Sequence, residues 1–549
     1  MTNIIIVPLI IVILSLNKKL NLEVKMSDLS ILLGELTNIL GNQNVITDEK
    51  ECKFYSQDVF IESDHTAKAV IKPENITELS KAVAVVTNSG YAIFPRGGGM
   101  SYTSGYLPSQ EKAISLDTSR LNQIVEVNIE DMYITVECGC TWSQIHDALK
   151  QTDVRTPFWG TLSGLKATVG GGVSQNSLFF GTGLYGSAVE SVIGLEVITA
   201  NGEIMRTGSA SIKGGNAFFR HYGPDLTGIF LGDTGALGIK ATITLKLMKE
   251  PKYHEFGSFC FDSYEDMLPA MSEISRKGLA SECFGFDPYL QEQRMKRESI
   301  AKDIKSLTGV LSAADNVIDA VKKGTKLAVG GRGYMKNVLY SFHATSENNS
   351  KDVAKSDMDE IRKIAIEAGG KEIENSIPTL INANPFLPLN NMVGPDGERW
   401  APVHGLSPHS RVVKLHDAVR DLFAENIEKI EEYKVGVGYM YVTVGASASL
   451  IEPVFFWHDA LKELHKDTVE KRHLNSLKGF DENLEIRDFV SSLRKKLILL
   501  FKEHAVVHLQ IGKSYQYSEG IEGNSLNLVK SIKQYTDPNN LINPGSLGL

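Results

Sequence analysis

The sequence predicts an α+β protein of two domains with a boundary near residue 250. Three observations lead there. At 549 residues the chain exceeds what one hydrophobic core organises. Up to about residue 250, short segments of period two alternate with amphipathic segments of period 3.6, the mixture expected of strands packed with helices. From about residue 252 the texture shifts to longer helical patterns. The composition is that of a folded chain, since 42% hydrophobic and 22% charged residues sit near globular averages. The net charge of -9 arises from interspersed acids and bases. With no basic stripe to track a phosphate backbone, nucleic acid is excluded as the expected partner.

In chain order, the first feature is an apolar run over residues 3–16 (NIIIVPLIIVILSL), followed by Lys18, Lys19 and Lys25. The run is shorter than the roughly 20 residues a bilayer span requires. Its positive charges follow the apolar stretch, whereas a secretory signal places them before it. Residues 1–26 are therefore expected to be a leader or a mis-assigned start, with Met26 opening an ordinary cytoplasmic protein. Membrane association through residues 3–16 is the alternative.

Residues 27–40 place Leu29, Leu32, Leu33, Leu36 and Leu40 on one face behind a Ser27 cap, which predicts a first helix. Residues 69–95 read as strand, helix and strand, with Asn75 as cap, Ile76, Leu79, Val83 and Val86 on one face, and Gly90 as stop. Strands are predicted at 113–116 and 134–137 and a helix at 142–149. A hairpin is predicted over 191–208, where Asn201-Gly202 suits a tight type I′ turn. A further strand follows at 239–247. Later helices are predicted within 263–277, 350–369, 408–432, 457–469 and 484–505, between a few strands, and a turn-rich tail closes the chain. Five cysteines, an odd number thinly spread, read as reduced thiols used in packing. Cys138 and Cys140 alternate along a strand, with no second pair to complete a zinc site.

Two glycine clusters carry the chemistry. PRGGGMSYTSG (residues 95–105) ends the second strand of the strand–helix–strand unit. Three successive glycines there let the backbone approach a ligand with converging N–H groups, which suits a pyrophosphate. A second cluster, TVGGGVSQNS (168–177), follows in the same domain, and two such clusters can bracket one dinucleotide. The string Gly181-Thr182-Gly183-Leu184-Tyr185-Gly186 matches GxGxxG, but polar and aromatic residues precede it and a hairpin follows. A nicotinamide fingerprint needs a strand before and a helix after.

The segments PRGGGMSY, TVGGGVSQN, YGSAVESVIGLEVITANGE, GPDLTGIFLGDTGALGI and DPNNLINPGSL, in this order, resemble the flavin-domain motifs of the vanillyl-alcohol oxidase/para-cresol methylhydroxylase superfamily. The resemblance implies a two-part FAD-binding domain, residues 27–250 with a C-terminal segment 501–549, and an α+β cap over 251–500 that holds substrate. It implies that Pro95, Arg96, Gly97, Gly98, Gly99, Met100, Ser101 and Tyr102 wrap the FAD pyrophosphate. Thr168, Val169, Gly170, Gly171, Gly172, Ser174, Gln175 and Asn176 would line the ribityl chain and flavin, with Tyr185 and Gly186 beyond them. Gly238 and Ile239 would hold the adenine end through backbone contacts, and Asn543 would return to the flavin edge. Many relatives carry a flavin-bonded histidine in the first glycine loop. Met100 stands there in this chain, and a thioether does not replace an imidazole nucleophile. FAD is therefore expected to be held non-covalently, with a link from the cap, through a residue such as His404, left open.

The family oxidises substrates by hydride transfer to flavin, a reaction that needs a base and positive charge near the ring. The run ERWAPVHGLSPHSR (398–411) offers His404 as base and Arg411 or His409 as a carboxylate or phenolate clamp. GVGYMYVTVG (436–445) puts Tyr439 and Tyr441 on one strand face. HLQIGKSYQY (508–517), read as a further strand, sets Lys513 beside Tyr515, a pairing that would lower a phenol's pKa. The plainer alternatives are a capped loop histidine and core tyrosines. The metal-holding HxGDGNxH-like segment of the glycolate and D-lactate dehydrogenase branch has no counterpart, so no metal is expected.

The expected function is FAD-dependent oxidation of a 2-hydroxy acid or a para-substituted phenol or alcohol. The rivals are a flavin-dependent transferase of the alkylglycerone-phosphate synthase type and a non-enzymatic, membrane-tethered flavoprotein. Expected partners are a small-molecule substrate, an electron acceptor left open between oxygen, a quinone and a cytochrome, and, as a candidate assembly, a homodimer.

Overall fold

The computed structural model describes residues 28–296 and 338–549, so the expected leader lies outside the described residues. Helix α1 (Asp28–Leu40) buries Leu32, Leu36 and Leu40, and α2 (Glu49–Tyr55) follows, capped by Asp48. The first sheet contains β1 (Val45–Ile46), β2 (Ala69–Ile71), β3 (Ala92–Arg96) and β4 (Ala113–Asp117). Between β2 and β3 runs α3 (Ile76–Asn88). Asn75 caps it by accepting the Glu78 amide at 3.0 Å, and Leu79, Val83 and Val86 are buried. β4 lies between β2 and β3 and is parallel to both, giving the order β1-β2-β4-β3.

The second sheet starts with β5 (Ile124–Asn128) and β6 (Tyr133–Glu137). Helix α4 (Trp142–Leu149) follows, opened by a Thr141–Gln144 capping box. A short β7 (Val154–Arg155) comes next, then α5 (Val169–Gln175), β8 (Val192–Ile198), β9 (Ile204–Arg206) and β10 (Ile239–Lys246). The sheet is antiparallel in the order β5-β6-β10-β8-β9, and β7 pairs separately with β11 (Met248–Lys249). The β8–β9 connection is not the expected type I′ turn. Residues 199–203 link the strands, only Gly202 has positive φ (82°), and its amide closes on the Thr199 carbonyl at 2.9 Å. That is a turn followed by a bulge. One core serves both sheets, joining α1, α3 and β2 to Leu195, Val197 and Ile243.

The third sheet is larger than the few strands expected. It contains β12 (Tyr253–Phe261), β13 (Glu282–Phe286), β14 (Tyr340–Asn348), β15 (Lys371–Ile373), β16 (Arg399–Pro402), β17 (Gly405–Pro408), β18 (Gly436–Val444) and β19 (Ala448–Trp457). They run β15-β12-β14-β13-β18-β19-β16, with β17 on β19. Its back face packs against α6 (Tyr264–Arg276), α8 (Lys351–Glu367), α9 (Val412–Ala424) and α10 (Leu484–Glu503), while α7 (Pro288–Lys296) lies on β18. The helix expected within 457–469 shrinks to Glu463–Thr468 because Trp457 ends β19. Residues 508–517 form no strand: only Val507 bridges Leu406, and turns follow. After α11 (Gly523–Thr536), Ile542 pairs with Ile93 at the edge of β3, so the tail lies on the first sheet. Among the described residues no helix is long and apolar enough to cross a membrane.

Candidate functional site

A large cavity, about 1770 Å³ counting its open mouth, lies between the second sheet and the front face of the third. The first glycine cluster forms one wall. Pro95, Arg96, Gly97, Gly98, Gly99, Met100, Ser101 and Tyr102 all line it. A Cβ on Gly98 would strike the Lys166 carbonyl, and one on Gly99, where φ is 72°, would strike the Arg96 guanidinium. The Gly99 carbonyl accepts from the Tyr106 hydroxyl at 3.0 Å, and the Ser101 carbonyl accepts from the Val59 amide at 3.1 Å. Among the described residues, none of the backbone N–H groups of Gly97, Gly98, Gly99, Met100 and Ser101 donates to a protein acceptor. Five successive free donors make an anion cradle. Beneath it the Arg96 guanidinium stands 4.4 Å from the Tyr55 ring centroid, with Nε unpartnered. The Tyr55 hydroxyl is fixed at 2.6 Å on Asp117.

The second cluster is helical: it spans α5 and its caps, with the three glycines in the first turn. Thr168 caps the helix by accepting the Gly171 amide at 3.2 Å, and the Gly170 amide donates to the Cys138 carbonyl at 2.9 Å. A Cβ on Gly170 would come 2.7 Å from that of Cys138, and one on Gly172 would come 2.8 Å from the Trp142 indole nitrogen. These glycines let α5 press onto Cys138, just past β6, and onto Trp142 of α4. Thr168, Gly170, Gly171, Gly172, Ser174 and Gln175 line the cavity, and the Gln175 amide oxygen has no partner. Gly238 and Ile239 line it from the start of β10, beside Lys240, which pairs with Asp233. A cradle of free amides, a cation beneath it and unmet polar atoms along an elongated cavity fit a dinucleotide such as FAD.

Five residues expected at the cofactor stand elsewhere. Val169 is buried in the core. Asn176 is the left-handed cap of α5. Tyr185 donates to Glu347 at 3.2 Å, and Gly186 ends the short turn that carries it. The GxGxxG string docks on the third sheet, its Gly183 amide donating to the Ser281 carbonyl at 2.7 Å. Asn543 ties loops together instead of lining the cavity, donating to the carbonyls of Gly105 and Thr234 at 2.7 and 2.8 Å.

Of the expected catalytic residues, the structure brings His404 alone to the cavity. Its Nε2 lies 2.8 Å from the Leu509 carbonyl, which fixes the proton there and leaves the unpartnered Nδ1 with a lone pair. Burial pushes its pKa down to about 3, so the ring is neutral. Tyr102 crosses it edge-on at 6.3 Å. Tyr515 is one layer behind, accepting the His404 amide at 3.2 Å and stacking 4.0 Å from His508. Lys513 does not pair with Tyr515, since its ammonium donates to Asn543 at 2.7 Å. Tyr439 and Tyr441 share a face as expected, but it is the back one, where the Tyr441 hydroxyl meets His416 Nε2 at 3.0 Å. Arg411 is exposed beside Lys414 and Glu503, and His409 bonds Ser449, so neither lines this cavity. The front face instead supplies Trp400, Met440, Val442, Leu450, Glu452 and, from α7, Arg294. Trp400, Met440 and Val442 lie in runs singled out for neighbouring residues, whereas no motif marks Leu450, Glu452 or Arg294. Among the described residues no group of three or more His, Cys, Asp or Glu side chains converges as a metal site.

Residues 67–208 match the FAD binding domain family. Glycolate oxidase subunit GlcD of Bacillus subtilis is 31% identical over 241 residues, 44% of this chain and 49% of that protein. The mitochondrial D-lactate dehydrogenase [cytochrome] 1 of Saccharomyces cerevisiae is 24% identical over 351 residues, 60% of this chain and 56% of that protein. The chain thus spans about half the length of these curated relatives. A crystal structure of p-cresol methylhydroxylase with substrate bound superposes with a TM-score of 0.72 at 17% identity, covering 96% of this chain and 98% of that one. A structure of alkyldihydroxyacetonephosphate synthase superposes with a TM-score of 0.65 at 13% identity, covering 93% of this chain and 84% of that one. The fold is that of the para-cresol methylhydroxylase type, and the chain carries an FAD-binding domain of that type.

Proposed function

We propose that this protein is an FAD-dependent oxidoreductase that oxidises a small organic substrate, a 2-hydroxy acid or a para-substituted phenol or alcohol, by hydride transfer. The observation that carries the reading is the continuity of one cavity from the free amide cradle of residues 97–101 to His404 and the front face of the third sheet. Bound FAD supplies the two-electron acceptor there. The chain's own groups do the rest. The cradle and Arg96 hold an anionic pyrophosphate. His404 borders the cavity as a neutral ring whose buried Nδ1 has no protein partner among the described residues, and that atom is assigned to a substrate hydroxyl. Trp400, Met440, Val442 and Leu450 exclude water from the reacting carbon. The division proposed is residues 27–250 with 501–549 for the cofactor and 251–500 for the substrate, with FAD held non-covalently.

Anaerobic mixing with D-2-hydroxy acids and para-substituted phenols tests this reading, with flavin bleaching by one class expected. His404→Ala is expected to slow that bleaching by about 10²-fold or more, the usual contribution of a positioned proton acceptor. An unchanged rate would remove His404 from the chemistry.

A further inference from the structure

The cavity ends at the third sheet with two opposite charges that do not pair. Met440 and Val442 of β18 and Leu450 and Glu452 of β19 point into it, Met440 directly opposite Glu452. Arg294 reaches the same wall from α7, its guanidinium 4.8 Å from the Phe286 ring centroid. The helix can lie there because β18 opens Gly-Val-Gly. A Cβ on Gly438 would come 2.7 Å from that of Leu290, and one on Gly436 would strike the Tyr289 hydroxyl. Among the described residues no ion pair within 4.0 Å joins Arg294 to a carboxylate, and its Nε has no hydrogen-bond partner. A largely buried guanidinium whose carboxylate neighbour, Glu452, lies beyond ion-pair distance is incompletely compensated, and a ligand anion relieves it. Burial lifts the Glu452 carboxyl to about 7. Near neutral pH it is therefore protonated in part and can donate to the same anion.

We propose that Arg294 and Glu452 are the specificity-determining residues of this site and that the substrate is an organic acid. Its carboxylate lies between them, and its apolar body lies against Trp400, Met440, Val442 and Leu450. A phosphate dianion meets Glu452 with too much charge, and a neutral phenol leaves Arg294 unpaired. The proposal rests on reading the cavity as a substrate site beside FAD.

Calorimetric titration of the FAD-loaded protein with phenylacetate and with phenylacetamide tests it, with bound FAD measured in the same samples. Phenylacetate is expected to bind about tenfold or more tightly than the amide, as a charge-assisted hydrogen bond implies. Arg294→Gln is expected to abolish that preference, Arg294→Lys to retain part of it, and Glu452→Gln to strengthen phenylacetate binding. Equal binding of the two probes, no binding of either, or a preference unchanged by Arg294→Gln overturns the assignment. If Arg294→Gln does not fold, Arg294→Lys and Glu452→Gln decide, and unchanged binding in both overturns it. Protein that holds FAD yet treats the probes alike sinks only the acid assignment, whereas protein that holds no FAD sinks the reading beneath it.

Discussion

At Gly98 an added methyl would run into the Lys166 carbonyl, and that carbonyl belongs to the segment that leads into α5. Gly98→Ala should therefore push the two glycine segments apart, at the roughly 1–3 kcal/mol typical of overpacking. A lower ratio of flavin to protein absorbance would register the loss. Asn543 plays a different part, because its amide holds two loop carbonyls while its oxygen takes the Lys513 ammonium. Asn543→Ala strands those groups, at about 1–3 kcal/mol for each buried group left unmet. A fall in Tm is expected, and an unchanged melt would show that water replaces the side chain. The first glycine cluster was legible in the sequence because its residues act through the backbone, where order along the chain is enough. Tyr439 and Tyr441 were not. Alternation shows that they share a face, but which face looks at the cavity depends on what the sheet packs against.

Helix α7 and strand β18 form the unit that sets the substrate end of the cavity. Gly438→Ala should lift α7 from the sheet and move Arg294, leaving the cofactor walls of the first two sheets untouched. Weaker phenylacetate binding with full FAD content is expected, and loss of FAD instead would mean that the two ends are not separable. In the first 250 residues the helices marked by caps and periodic faces, as Asn75 and Thr141 mark α3 and α4, were readable, whereas α2, α5 and β5 were not. The third sheet was harder to see. β14 buries seven successive residues, Ser341 through Glu347, on both faces, so no alternation survives in its sequence. Strand order was equally hidden, since nothing local places β4 between β2 and β3.

Across the whole molecule, buried titratable groups set the pH response. Burial holds His343 and His465 down at about 3 and His416 at about 4. His404 and His508 are lowered in the same way. The unfolded chain binds protons at these rings below about 6.5. Their contribution is therefore complete above that pH and is lost as pH falls toward the folded values. Glu282 and Glu452 at about 7 and Asp287 at about 6 act oppositely, binding more protons when folded, so that their contribution falls as pH rises toward 7. The histidines outnumber them, so Tm is expected to drop between pH 7 and pH 5. A rise would mean that the imidazoles are not buried neutral.

The central claim is a cofactor held in the cradle of residues 97–101 without a covalent bond. An absorbance spectrum of the purified protein, before and after acid precipitation, tests it most directly. Flavin bands that move into the supernatant are the expected result. Colour retained in the pellet would contradict the non-covalent link, and a colourless protein that takes up no FAD would contradict the account itself.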